Sequence, residues 1–183
     1  MKIFRKLRAS QGEKFLSKKA KWLVRQTKIQ NFNTAKTVGI LFDAGVSDDL
    51  KQVKEFGKYL ANLGIEFSVV GYLDSEIISD DLLFLGNITI FCQKDLDYFF
   101  RPSNPDALNF MSKKFDILFD LSLKRTYPLR FLASLSPSTF KVGQYKEGDS
   151  MLDLMIDIHS KPNLEFLIEQ IKNYVSLLNN PQA

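Results

Sequence analysis

The sequence has one cysteine, Cys92, and one histidine, His159. A single thiol excludes a disulfide scaffold and a cysteine-based zinc site, and a single imidazole excludes a histidine-rich metal centre. No window approaches the 18 uncharged apolar residues that a membrane span requires. Glycine-rich phosphate loops are lacking. The turn after the first apolar run is Asp43-Ala44-Gly45-Val46-Ser47, which fits neither G-x-G-x-x-G nor G-x-x-x-x-G-K-[ST]. This argues against a standard NAD enzyme or P-loop NTPase. Acidic residues are nearly missing from the first 30 positions, where Glu13 stands alone.

What is present suits one globular domain. A chain of 183 residues can bury enough surface to fold without disulfide or metal. Apolar residues at 45% and charged residues at 25% exclude intrinsic disorder of the whole. Phenylalanine is abundant at 16 residues, several within apolar runs, and is read as core material.

The charge is uneven. Residues 1–30 hold ten basic side chains against Glu13, whereas the rest of the chain holds 15 basic against 20 acidic. A basic arm on a mildly acidic domain points to a polyanionic partner, either nucleic acid or an anionic membrane. The arm has no secretory apolar stretch or cleavage site. A mitochondrial transit peptide would share its basic character, but the excess of lysine over arginine weakens that reading. One unpaired cysteine fits a reducing cytoplasm, the expected location.

Beyond a polar linker at Gln30–Thr34, apolar runs alternate with helical periods. The continuous run Val38–Phe42, ending at Asp43, reads as a strand buried on both faces. Ser47 is the expected N-cap of a helix that carries Asp48 and Asp49 in its first turn and closes at Gly64. Further strands are expected at Glu66–Leu73, Asn87–Cys92, Phe115–Asp120, Thr139–Tyr145 and Leu152–Ile158. A short helical turn is expected within 74–86. Asn104-Pro105 starts a short helix, Pro128–Leu135 forms another, and a final helix begins near Pro162 with Leu164, Leu167, Ile168, Ile171, Val175 and Leu178 on one stripe. The alternation predicts a Rossmann-like, three-layer α/β domain with a mostly parallel sheet at 34–183, preceded by a basic amphipathic helix and linker at 1–33.

Open parallel sheets bind ligands outside the carboxyl ends of their strands. Asp43, Asp74, Asp120 and Asp157 fall at such ends, and His159 follows Asp157. Asp43, Asp120, Asp157 and His159 are therefore the candidate catalytic residues. Neighbouring carboxylates there could hold Mg²⁺; equally, each could brace its loop or cap the next helix, and this second reading is preferred. Accordingly no metal and no cofactor is assigned. Cys92, at a strand end, is read as an inert buried thiol.

In the arm, Phe4, Leu7, Phe15 and Trp22 share roughly one helical face, interrupted by Gly12 and Lys18. That stripe could pack on the domain, lie on a membrane, or present cations to nucleic acid. The polyanion-binding candidates are Lys14, Lys18, Lys19, Lys21, Trp22, Arg25 and Lys28.

From Thr37 onward, the stretches Val38–Asp43, Lys94-Asp95-Leu96 through Pro102, Phe115–Leu121 and Phe140–Gly143 resemble an uncharacterised family of Bacteroidota proteins known as a domain of unknown function. The resemblance implies a bacterial cytoplasmic protein and brings no activity. A weaker similarity, from Phe115–Leu121 followed by a helix and a Val-Gly strand, is to the N-terminal half of heptosyltransferase-like glycosyltransferases. The expected function is a non-catalytic adaptor whose arm engages RNA or a ribonucleoprotein, with an anionic membrane surface as second partner. The alternative is a small enzyme acting on a phosphorylated or sugar substrate.

Overall fold

The computed structural model describes residues 2–83, 85–148 and 151–178. In chain order the elements are α1 (Lys2–Trp22), β1 (Thr37–Asp43), α2 (Ser47–Asn62), β2 (Glu66–Leu73), α3 (Asp80–Leu83), β3 (Ile88–Cys92), α4 (Pro105–Ser112), β4 (Ile117–Asp120), α5 (Tyr127–Leu135), β5 (Phe140–Gln144), β6 (Leu154–Ile156) and α6 (Leu164–Leu177). Each expected strand is present. Within the expected turn at 74–86, α3 is helical and Phe84 lies outside the described residues.

The six strands form one parallel sheet in the order β3-β2-β1-β4-β5-β6. The order reverses between β1 and β4, so the switch point of a Rossmann-like sheet lies there. Alternate residues of β1 face opposite ways. Val38, Ile40 and Phe42 join Phe56 and Leu60 of α2 and Leu167 and Ile171 of α6. Leu41 joins Ala107 and Phe110 of α4 and Leu129 and Leu132 of α5 on the other face. With helices on both faces, the strands read as continuous apolar runs.

Local signals act as expected at several termini. Asn104 Oδ1 accepts from the amides of Asp106 and Ala107 at 3.0 and 3.1 Å, with Pro105 at the first helical position. Gly64 takes the left-handed conformation that ends α2. Ser47 does not cap α2: it is the first helical residue, and Val46 occupies the cap without a side-chain bond.

The stretch after α1 differs from the polar linker expected. Gln30, Asn31 and Phe32 are buried, and the Phe32 ring packs edge-on against Tyr59 and tilted against Phe119. Asn31 ties the turn by accepting from the amides of Asn33 and Thr34, and it donates to the Leu178 carbonyl at 2.7 Å. Polar composition concealed one aromatic anchor. A boundary at residue 33 therefore falls inside a packed turn that covers the α2–α6 core.

Lys141 is the unexpected core residue. It lies in β5 with 1% of its surface exposed, and its ammonium donates to the Ala133 and Ser134 carbonyls at 2.7 and 3.3 Å. These carbonyls belong to the last turn of α5, where the helix dipole favours a cation. Burial pulls the Lys141 pKa down to about 7, the Arg25 charge pulls the same way, and Asp153 opposes both. A native pKa below the unfolded value means that the unfolded chain holds the extra proton between about pH 7 and 10. The stability contributed at this position is thus lowest below pH 7 and rises through that window. We expect the stability of the wild type, relative to Lys141→Met, to increase by up to about 1.4 kcal/mol per pH unit there. Urea unfolding of both proteins across the window tests this, and parallel curves would contradict it.

Candidate functional site

At the carboxyl edge of the sheet, the structure brings Asp43 and Asp120 to adjacent strand ends at the switch point, with Leu41 in register with Asp120. Both are buried. Asp43 Oδ1 accepts from the Gly45 amide at 2.9 Å, and Asp120 Oδ1 accepts from the Ser122 amide at 3.0 Å and its hydroxyl at 2.5 Å. These are loop-bracing bonds of acids that end strands. Lys146 completes the Ser122 turn by donating to its carbonyl at 2.7 Å. Asp49, in the first turn of α2, is held above the ordinary carboxyl range by burial and then by the charges of Asp43 and Asp48, against the pull of Lys124. An extra negative charge meets resistance here, which disfavours a phosphate.

Asp157 and His159 stand elsewhere. They follow β6 at the sheet's edge, two strand spacings or about 10 Å beyond β4. The His159 amide donates to Asp157 Oδ1 at 2.9 Å and its ring contacts the same oxygen. The backbone bond, then the ring, lowers the Asp157 pKa, and both side chains are solvated. The four candidate catalytic residues thus divide into two separate pairs. Asp74, after β2, accepts from the Tyr72 hydroxyl at 3.2 Å and from Gln93 at 2.7 Å. Cys92 is a buried free thiol. Among the described residues, no group of three or more acids, histidine and cysteine is arranged to hold a metal ion.

The basic helix is docked on the domain. α1 crosses α5 and the aromatic connection between β3 and α4. Its contact residues are Arg8, Gly12, Phe15 and Leu16, spaced to share a helical face. At Gly12 the backbones approach so closely that a Cβ would lie 2.6 Å from the Phe99 carbonyl oxygen and 2.9 Å from the Tyr127 hydroxyl. Leu16 is buried, and the Phe15 ring stacks on Phe131. Arg8 donates to the Tyr98 carbonyl at 2.6 Å and lies over the rings of Tyr98 and Phe100. Arg130 of α5 pairs with Glu13. Burial raises the Tyr127 pKa to about 12, with the Glu13 charge adding to it. Burying Leu16 contributes about 1.5–3 kcal/mol, and the partly buried Phe15 somewhat less. Each cation–π contact adds about 0.5–1, and the half-exposed Arg130–Glu13 pair less than about 1. Apolar burial at a close backbone approach therefore dominates.

The expected stripe of Phe4, Leu7, Phe15 and Trp22 is not the packed face. Phe15 alone of the four packs on the domain, whereas Phe4, Leu7 and Trp22 are 71%, 57% and 77% exposed. Gly12 and Lys18 do not break the helix, which is continuous from Lys2 to Trp22. Sequence hydropathy missed the true face because a glycine and an arginine are its centre.

The polyanion candidates separate by position. Arg25 is engaged: it pairs with Asp153 and donates to the Ser138 carbonyl at 3.2 Å. The Lys28 amide joins the Thr139 carbonyl, which holds this segment to the start of β5. Lys14, Lys18, Lys19 and Lys21 are exposed and, among the described residues, form no ion pair. Lys14, Lys18 and Lys21 follow the outer face at i, i+4 and i+7, with Trp22 one turn beyond Lys18. Beside them lies a cleft of about 340 Å³ lined by Gln11, Lys14, Phe15, Lys18, Phe99 and Arg101. Arg101 lies 4.5 Å over the Phe15 ring and 5.3 Å from Phe99, and it is held by Asp97 at 2.6 Å. Phe99 and Arg101 escaped the sequence reading because the abundant phenylalanine was read in general as core material. The position of Tyr98-Phe99-Phe100 on a long connection between apolar segments was the available signal.

The model of a family of unknown function, DUF6913, matches residues 10–178. The match begins inside α1, so the docked turn at Gly12 lies within the family's span. No curated protein matches the chain.

Docking makes a prediction of definite sign. In a solvated helix, Gly12→Ala would add up to about 1 kcal/mol through propensity. Against the Phe99 carbonyl, it is expected instead to cost about 1–3 kcal/mol through overpacking. Urea unfolding measures the difference, and a more stable variant would refute the docked arrangement.

Proposed function

We propose that this chain, which belongs to the DUF6913 family of unknown function, is a non-catalytic RNA-binding or ribonucleoprotein adaptor. The observation that carries this reading is the basic and aromatic cleft beside α1. Lys14 and Lys18 line it without acidic partners among the described residues, around the rings of Phe15 and Phe99. Lysine ammoniums suit backbone phosphates, and the Arg101 guanidinium lying over Phe15, with the Phe99 ring beside it, suits the flat faces of unpaired bases. Docking of the opposite face holds the cations in fixed positions, so little ordering is left to binding. Lys14 and Lys21 stand about 10 Å apart along the helix axis.

Single-stranded RNA is favoured over a membrane by the distribution of apolar groups. An interfacial helix needs a broad apolar face for the lipid. Here Phe15 and Leu16 are engaged with the domain, and lysines separate Leu7 from Trp22 on the outer face. Among the described residues, no helix is long and apolar enough to cross a membrane. A cytoplasmic setting accords with the free thiol of Cys92. The enzyme alternative receives less support, because Asp43 and Asp120 brace loops and the Asp157–His159 pair stands apart from them.

A fluorescent single-stranded RNA titrated at several salt concentrations tests the proposal. With four lysines engaged, the log–log slope should be about −2.8, from roughly −0.7 per phosphate. Lys14→Glu with Lys18→Glu should abolish binding without unfolding the domain, and Arg25→Gln should act on stability instead. No RNA binding at low salt, or binding to anionic vesicles alone, would overturn the proposal.

A further inference from the structure

A second cavity lies under α1, on the side away from the basic cleft. Its volume is about 440 Å³, within the range of small-molecule sites. α1 supplies Glu13, Leu16, Ser17 and Lys21; α5 supplies Arg130 and Ser134; Arg125, Lys141 and Met151 close it. Five cationic side chains line it, counting Arg25, against one carboxylate among the described residues.

The charges are not all matched. Arg25 pairs with Asp153, and Arg130 pairs with Glu13. The Arg130 Nε is nevertheless buried without a hydrogen-bond partner among the described residues. Lys141 bonds two carbonyls and forms no ion pair there, although almost none of its surface reaches solvent. Burial without a paired counter-charge disfavours the ammonium form. A role confined to the end of α5 gives a weak account of that burial, since carbonyls at a helix end can be met by water or by the chain's own amides. A dianion in the cavity would give Lys141 and Lys21 a counter-charge and the buried Arg130 Nε an acceptor at once.

We propose that this cavity binds a small phosphomonoester, its phosphate held by Lys141, Arg130, Arg125 and Lys21. Guanidinium groups match phosphate oxygens in geometry, and Ser17 adds a neutral donor. The aliphatic wall of Leu16, Leu23 and Met151 takes the uncharged body of the ligand. The two proposed sites share only Lys21 at their border; Lys14 and Lys18 line the basic cleft alone and Lys141 and Arg130 the cavity alone, so variants of those residues tell the two proposals apart.

The test is calorimetric titration with inorganic phosphate and with phenyl phosphate, at ionic strength matched with sodium chloride. Saturable binding is expected, tighter for phenyl phosphate because of the apolar wall. Lys141→Met should weaken it at least about tenfold, the effect of losing a charge-assisted bond. Lys21→Gln and Arg125→Gln, on exposed side chains, should weaken it severalfold each and decide the matter if Lys141→Met does not fold. The pair Lys14→Glu and Lys18→Glu should leave it unchanged. Absence of saturable binding up to about 10 mM, or equal affinity in the cavity variants that fold, would overturn the assignment.

Discussion

The contact at Gly12, where the α1 backbone meets the Phe99 carbonyl, is the constraint on which the functional reading depends. A side chain there would place its Cβ 2.6 Å from that carbonyl oxygen, so the helix would have to move outward and loosen the Leu16 and Phe15 contacts with α5. A segment with ten cations among its first 30 residues would by composition be a solvated tail. One glycine and two apolar side chains make it a layer of the domain. Its charges are thereby divided between an outer face and an inner cavity.

That division separates positive from negative potential across the molecule. At the switch point, Asp43, Asp49 and Asp120 hold carboxyl groups in buried positions, and the Asp49 pKa is raised by burial and then by the charges of Asp43 and Asp48. On the α5 side, Lys141, Arg130 and Lys21 surround a cavity with little negative charge. Rossmann-like sheets usually receive ligands at the switch point. Here that place is braced by its own serine and glycine amides, and the cationic side chains gather beneath and beside the added helix. On the proposed reading, the sheet is a scaffold on which α1 builds both sites.

Much of the sheet was legible in the sequence because burial on both faces leaves a direct trace. Val38–Phe42 and Phe115–Phe119 are continuous apolar runs between polar turns, and Asn104-Pro105 states its helix start in two residues. Strand order was not legible, since it arises from packing among helices distant in sequence. The candidate site was legible as charge and illegible as geometry. Lys14, Lys18, Lys19 and Lys21 could be named from composition. Arg25 looked identical to them until Asp153, 128 positions away, engaged it. Phe32 looked like a linker residue because its neighbours are polar, yet it fills a gap between Tyr59 and Phe119. Lys141 sat inside a strand pattern whose apolar neighbours gave no sign that an ammonium would be buried with them.

Hydrogen exchange of the backbone amides tests most directly whether α1 is a structural layer. Local opening of a docked helix requires breaking its tertiary contacts, so its amides exchange with a free energy set by docking. The account predicts protection around residues 12–19 that approaches that of α5 and exceeds that of the turn after β6. An isolated helix of this length is marginal in water and would exchange near the rate of unstructured chain. Exchange of α1 at that unprotected rate, with α5 still protected, would contradict the account.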